Sequence, residues 1–227
     1  MNNLPSNTTL DRFVAVCRAD ERVVAAALHG SHARGAADPY SDLDLGVITT
    51  DAAYEGFVAG REAFVRQLGE PLFLEDFDLP DTLFFILADG TEGELVIGRE
   101  SRFYETDGGP FRVLVDKAGI LAGTVFSRAH PAPAERAETL RQLVVWFWHD
   151  LSHFITALGR GQLWWAAGQL EVLRRYGVNL ARLRHDFTDS DVGEEAYFKV
   201  ERALPAELLS PLATTFVPLE RDALLRA

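Results

Sequence analysis

Apolar positions along the chain change period near residue 131. Before it, helix-like and strand-like stretches alternate; after it, the spacing is helical to the end. Asn7 or Thr8 is placed to cap a first helix running to about Ala19. Val23-Val24-Ala25-Ala26-Ala27-Leu28 reads as a buried strand, and residues 43–48 as a second. Asp51 is placed to cap a helix from Ala52 to Leu68, with Phe57, Phe64, Val65 and Leu68 inward and Pro71 stopping it. Strand-like runs follow at 72–74, 83–87, 94–97 and 112–115, with turn signals at Asp89-Gly90 and at 107–110. This order predicts an α/β domain over residues 1–130, built on a mixed sheet with helices on one side.

Residues 131–227 predict an all-α helical bundle. The longest candidate covers 134–158, with Leu140, Leu143, Val144, Phe147, Leu151 and Phe154 at helical spacing. Gly159-Arg160-Gly161 ends it. A second helix is expected over 162–176, and shorter ones over 178–185, 190–203 and 206–226, the last limited by Pro211 and Pro218. Neither an internal repeat nor a low-complexity segment is present. A sheet domain followed by a helical one is expected to leave a cleft for ligands.

The chemistry concentrates at residues 30–45, Gly-Ser-His-Ala-Arg-Gly-Ala-Ala-Asp-Pro-Tyr-Ser-Asp-Leu-Asp-Leu. On a strand, residues two apart share a face, so Asp42 and Asp44 point together while Leu43 and Leu45 point to the core. Two carboxylates held this close repel unless a cation lies between them, and an all-oxygen set suits Mg²⁺. Upstream, Gly30-Ser31 lets the backbone approach a ligand closely and adds a hydroxyl donor. Gly35 ends that segment, and Asp38-Pro39-Tyr40 turns the chain back. Taken singly, Gly-Ser can be an ordinary loop and Ser-Asp-Leu-Asp an ordinary strand entry.

In this order and spacing, the two resemble the signature of the DNA polymerase beta-type nucleotidyltransferase superfamily: Gly-Ser, a short helical turn with Gly, then Asp-x-Asp. Asp89-Gly90-Thr91-Glu92-Gly93-Glu94-Leu95 looks like the later strand that carries this superfamily's third acidic residue, with Glu94 in that place where many members have Asp. Residues 112–117 resemble the following strand of antibiotic nucleotidyltransferases such as the streptomycin adenylyltransferases. The resemblance implies Mg²⁺-dependent transfer of a nucleoside monophosphate, AMP from ATP foremost, to an acceptor hydroxyl with pyrophosphate leaving. It implies Asp42, Asp44 and Glu94 as catalytic and metal-binding residues, with one or two Mg²⁺ ions. Glu94 would complete the metal site or take the acceptor's proton. Gly30, Ser31 and Arg34, with the Asp pair, would bind the nucleotide, although Arg34 is equally a surface loop arginine. The acceptor class expected is an aminoglycoside- or lincosamide-like small molecule. The alternative is a regulatory or toxin–antitoxin-type nucleotidyltransferase that modifies a protein or RNA, although such minimal members are usually shorter.

Composition changes this picture in two ways. The formal net charge is −12, with lysines only at 117 and 199 and no basic cluster. Such a field repels phosphodiester chains and favours cationic small molecules, so no nucleic-acid partner is expected; an acidic balance serves solubility as well. No apolar run reaches membrane-spanning length, the Met1-Asn2-Asn3-Leu4-Pro5 start lacks signal-peptide features, and Cys17 is a lone cysteine. The expectation is a cytoplasmic protein with no membrane partner, and a homodimer is compatible with the apolar helical half.

In that helical half, Asp150, Trp164 and Glu171 are the candidate acceptor-binding residues, because an aromatic face beside a carboxylate suits a sugar or an ammonium group. Trp146, Asp150 and His153 form a stripe on one helix, for which core or interface packing is the competing explanation. His149 and His153 share a face, as a metal pair would, with no third ligand evident from spacing.

Overall fold

Strand alternation resolves into two sheet faces with different duties. The structure is a computed structural model that describes residues 5–103, 110–124, 133–185 and 196–227. Its strands are β1 (Val23–Leu28), β2 (Leu43–Thr49), β3 (Pro71–Glu75), β4 (Thr82–Leu87), β5 (Glu92–Arg99) and β6 (Arg112–Asp116). They lie in the order β3-β4-β5-β2-β1-β6. β2 and β5 pair parallel and the remaining neighbours antiparallel, which makes the sheet mixed.

The inward face carries Leu43, Leu45, Val47, Leu83, Phe85, Leu95 and Ile97. It is covered by α1 (Pro5–Ala19), α3 (Tyr54–Ala59) and α4 (Arg61–Val65), which contribute Phe13, Cys17, Phe57, Phe64 and Val65. Phe64 is the pivot, with its ring centroid 6.1 Å from Phe13 and 5.0 Å from Phe57. Burying each such side chain stabilises the fold by about 1.5–3 kcal/mol. Toward β1, the opposite face is also covered: Ala25, Ala27 and Ile48 lie under Phe103, Phe111, Ile120 and Leu121. Asp116 pins this cover by accepting the Ile120 and Leu121 N–H groups at 3.0 and 3.1 Å. Around β2, β5 and β4, half-buried residues alternate with the core ones on the same strands.

Two local expectations are corrected here. α1 begins at Pro5, upstream of the expected Asn7 or Thr8 cap; a proline suits the first helical turn, where its missing N–H has no partner to lose. The expected helix over 52–68 is two short helices divided at Gly60, whose N–H closes α3 on the Gly56 and Phe57 carbonyls. Phe57, Phe64, Val65 and Leu68 are all buried nevertheless.

The second unit holds α5 (Pro133–Gly159), α6 (Leu163–His185), α7 (Val200–Ala203), α8 (Ala206–Thr214) and α9 (Arg221–Arg226). α5 and α6 form a helical hairpin with Ala157, Leu158, Ala166, Leu170 and Leu224 between the helices and α9. α6 does not stop at Tyr176. It continues through Gly177 because Val178 and Leu183 are buried and Arg182 is held by the Ala196 carbonyl at 3.1 Å, so tertiary packing outweighs the glycine. Of the segment expected over 190–203, residues 190–195 lie outside the described residues and 200–203 are helical. The segment expected over 206–226 is broken between α8 and α9, where Pro218 falls. Along α5, Leu143 is buried but Leu140 and Val144 are exposed. Compactness divides the chain into Met1–Ala129 and His130–Ala227. Among the described residues, no helix is long and apolar enough to cross a membrane.

Cys17 reports on the seal between α1 and the sheet. It is fully buried, and burial pushes its thiol up to about 12, so the reactive thiolate is scarce at neutral pH. Ellman's reagent is expected to leave the native protein unlabelled and to label one thiol after denaturation. Rapid labelling of the native state would show that α1 does not close the core.

Candidate active site

The end of β1 and the start of β2 are tied together by the turn between them. Leu28 pairs with Leu45, and the next residue, His29, donates its N–H to the Asp44 carbonyl at 2.8 Å. The chain then enters a single turn, α2 (Gly30–Ala33), with Gly30 at φ +59°. A side chain is excluded there twice over. The left-handed backbone disfavours a Cβ, and a Cβ built on Gly30 would stand 1.6 Å from Asp44 Oδ2. The Asp44 carboxylate therefore lies in the notch that this glycine leaves.

The return to β2 is fixed by Asp38 and Ser41. Asp38 Oδ1 accepts the Tyr40 N–H at 2.9 Å, and Ser41 Oγ accepts the Asp38 N–H at 2.9 Å. Asp42 follows, exposed, immediately before β2, and Asp44 is half-buried within it. The parallel register sets Asp44 directly beside Glu94 on β5. Neighbours in register share a face, so a strand more than 45 residues downstream brings the third carboxylate to the pair. Ser31 Oγ is buried and has no hydrogen-bond partner, which leaves a donor ready for a ligand oxygen. Arg34 is exposed at the end of α2, with its backbone N–H on the Gly30 carbonyl at 3.3 Å.

Four further features on this face were not read from the sequence. His29 lies over Gly46, where a Cβ would come within 2.8 Å of Nε2, and it stacks on Phe111 with ring centroids 6.1 Å apart. His32 Nε2 is a second buried atom without a partner. Glu92, two residues before Glu94, adds another carboxylate to the same side of β5. Finally, the pairing of β5 with β4 and of β4 with β3 extends the row Asp44, Glu94, Phe84, Glu75 across the sheet. Phe84 is flanked at 6.0 Å by both Phe73 and Phe77. Phe77 and Asp78 hold positive φ angles of 51° and 61°, a conformation fixed by Glu75 Oε1 accepting the Asp76 and Phe77 N–H groups and by the Arg61–Asp76 ion pair at 2.5 Å. Only sheet register reveals this aromatic and acidic row; the individual residues carry no local signal.

The candidate acceptor residues of the helical half occupy three separate environments. Asp150 accepts a hydrogen bond from the Tyr176 hydroxyl at 2.8 Å, and its other oxygen lies 2.9 Å from His149 Nδ1. Burial first, and then that Asp150 contact, push the Tyr176 phenol up to about 12. Glu171 is engaged by Arg174. Trp164 is 83% exposed. Trp146 packs edge-on against His149, and Trp165 lies tilted against His153.

Comparison with known proteins bears on the sheet half. Residues 10–86 match the family model described as a nucleotidyltransferase domain. No curated protein sequence matches the chain. Among solved structures, the aminoglycoside 6-adenyltransferase from Bacillus subtilis is similar at 14% identity and a TM-score of 0.40, covering 99% of this chain and 86% of that one. A likeness that distant carries no detail of site or acceptor.

Gly30 and Gly35 form a matched pair for testing the notch. Gly35 also has positive φ, at 68°, but nothing lies within 4 Å of where its Cβ would be. Gly35→Ala is expected to lose about 1–2 kcal/mol from the backbone alone. Gly30→Ala should lose more, because Asp44 must also move, and should weaken binding of Mg²⁺–nucleotide while Gly35→Ala leaves it near wild type. Denaturant unfolding and nucleotide titration of both variants check this; equal effects would mean that the notch is not used.

Proposed function

We propose that this chain, an enzyme with a nucleotidyltransferase domain of the DNA polymerase beta type, transfers a nucleoside monophosphate to a hydroxyl of a small cationic acceptor. AMP from ATP is the favoured donor group. The observation that carries the reading is the position of Asp44: seated in the Gly30 notch, two residues after Asp42, and in register with Glu94.

These residues fit a hard divalent cation. The donors are carboxylate oxygens, with the partnerless Ser31 hydroxyl nearby in the sequence turn that holds Asp44. Asp42, Asp44 and Glu94 do not converge to within 4.8 Å as a closed triple. Mg²⁺ keeps waters and takes further ligands from a triphosphate rather than from a protein cage, so it does not require a closed triple. When bound, Mg²⁺ would screen the triphosphate's charge and make the acceptor hydroxyl more acidic. The chain's own groups then supply position. The Gly30 backbone admits a phosphate closely, Ser31 Oγ donates to a phosphate oxygen, and Arg34 is within the same turn for a second contact. Glu94 receives the proton as the acceptor oxygen bonds to the α-phosphorus and the bond to the leaving pyrophosphate breaks.

Acceptor recognition is proposed for the row beside Glu94. Phe73, Phe77 and Phe84 offer aromatic faces, with Phe77 61% exposed, and Glu75 and Glu92 add negative charge. Aromatic rings beside carboxylates suit an ammonium-bearing ring compound, and the net charge of −12 favours the same class. In the helical half, Trp164 is the candidate with an open ring; Asp150 and Glu171 would first have to leave their present partners.

Pyrophosphate release should be measured with each ribonucleoside triphosphate and Mg²⁺ against aminoglycosides, lincosamides and simple polyols. Acceptor-dependent release is expected with at least one amine-bearing acceptor. Asp42→Asn and Asp44→Asn should each lower it by roughly 100-fold or more, the scale on which charge-stabilising groups act, with no loss of fold because like-charge repulsion is relieved. Release unaffected by both substitutions would place the chemistry elsewhere. Mg²⁺–nucleotide binding without turnover on any small acceptor would direct the search to a protein or RNA acceptor.

A further inference from the structure

The helical half contains a second cluster of potential ligands with a different chemical character. Among the described residues, His149, Asp150 and His153 form the one group of three whose donor atoms all lie within 4.8 Å of one another. His149 and His153 are one helical turn apart on α5, and their rings stand 4.4 Å apart at 70°. Asp150, adjacent in sequence to His149, swings its carboxylate between them, with Oδ1 2.9 Å from His149 Nδ1 and 3.8 Å from His153 Nδ1. Helical spacing alone shows the histidine pair but not the carboxylate, because residues i and i+1 diverge by about 100° around a helix of 3.6 residues per turn.

We infer that His149, Asp150 and His153 form a binding site for a borderline divalent transition ion, Zn²⁺ foremost, with Tyr176 of α6 orienting the carboxylate. Two imidazole nitrogens and one carboxylate oxygen are the donors such an ion takes, whereas Mg²⁺ takes oxygen. Ligands about 2.1 Å from a shared tetrahedral ion stand roughly 3.4 Å from one another. The observed separations of 2.9 and 3.8 Å bracket that value. Both imidazoles are partly open to solvent, 49% and 42% exposed, so they can turn to close the remaining gap and an ion can enter.

The surroundings are those of a built site rather than a chance surface group. Asp150 is only 14% exposed and its second oxygen accepts the Tyr176 hydroxyl at 2.8 Å, so one oxygen is fixed and the other faces the histidines. Such an outer partner holds a ligating carboxylate in position. Trp146 supports the His149 ring and Trp165 the His153 ring, at 5.1 and 5.9 Å between centroids. Three protein ligands leave a fourth position for water or an exchangeable ligand, the arrangement of an open zinc site and not of a closed structural one. The two metal sites proposed for this chain then differ in hardness: carboxylates on the sheet for Mg²⁺, imidazoles on α5 for Zn²⁺.

The test is isothermal titration of Zn²⁺ into the full chain, free of any histidine tag and with Mg²⁺ in excess to occupy the sheet carboxylates. One equivalent of Zn²⁺ is expected to bind, and Co²⁺ in its place should give the intense visible absorption of a four-coordinate ion. His153→Gln and His149→Ala should each abolish this binding with the far-ultraviolet circular dichroism unchanged. Tyr176→Phe should weaken it by roughly tenfold or more, as loss of an outer partner does. Asp44→Asn should leave it intact. Absence of Zn²⁺ binding to the wild-type chain would overturn the inference, as would undiminished binding in both histidine variants or its loss in Asp44→Asn alone.

Discussion

The approach of Asp44 to Gly30 is the constraint around which the sheet half is organised. Any side chain at residue 30 would overlap the Asp44 carboxylate. β1, the turn and β2 must therefore meet as they do, with the His29 N–H on the Asp44 carbonyl closing the junction. Because Asp44 also sits in parallel register with Glu94, fixing it against Gly30 carries the position of β5 with it. A carboxylate forced close to backbone and to another acid is a poor choice for stability alone. The function proposed above gives it a use, as part of a site that would take a cation.

The inward face bears the energetic load that this arrangement requires. Leu43 and Leu45 flank Asp44 along β2 and are buried, as are Gly93 and Leu95 on either side of Glu94. Gly93 itself is a packing requirement, since a Cβ there would come within 2.5 Å of the Phe85 ring and 2.8 Å of the Leu43 carbonyl. The small residue lets β5 approach β2 closely enough for Glu94 to line up with Asp44. Hydrophobic burial on one face thus supports charge concentration on the other, and strand alternation is what couples them.

Much of this was legible in the sequence, and the failures have physical causes. Strand runs, turn residues and the change to helical spacing near residue 131 are local signals, and the mixed sheet followed by helices is what they predict. The Gly30-Ser31 and Asp42, Leu43, Asp44 pattern is also local, so the turn that seats Asp44 could be anticipated. Glu94 could be named only through a resemblance, because its place beside Asp44 depends on pairing between distant strands. The row through Phe84 to Glu75 had no local signal at all. Helix ends depart from the expected ones for opposite reasons: at Gly60 local chain preference divides a helix that reads as continuous, whereas Gly177 is passed over because Val178, Arg182 and Leu183 are buried beyond it. The part played by Asp150 was hidden because a side chain's reach, not its position on the helical wheel, brings it between two histidines.

Charge distribution gives the two halves different vocabularies for binding. On the sheet, Asp44 sits in the Gly30 notch and in register with Glu94, which in turn pairs with Phe84 beside the Phe73 and Phe77 rings. On α5, nitrogen donors stand over one carboxylate already held by Tyr176. Hard and borderline cations separate between such sites by donor type, without any need for differences in shape. Of the chain's two lysines, Lys117 donates to the Asp20 carbonyl at 2.7 Å in the sheet half and Lys199 lies over the Phe198 ring in the helical half. In the function proposed above, a triphosphate beside the sheet carboxylates would be neutralised by a bound metal ion together with the turn that begins at Gly30.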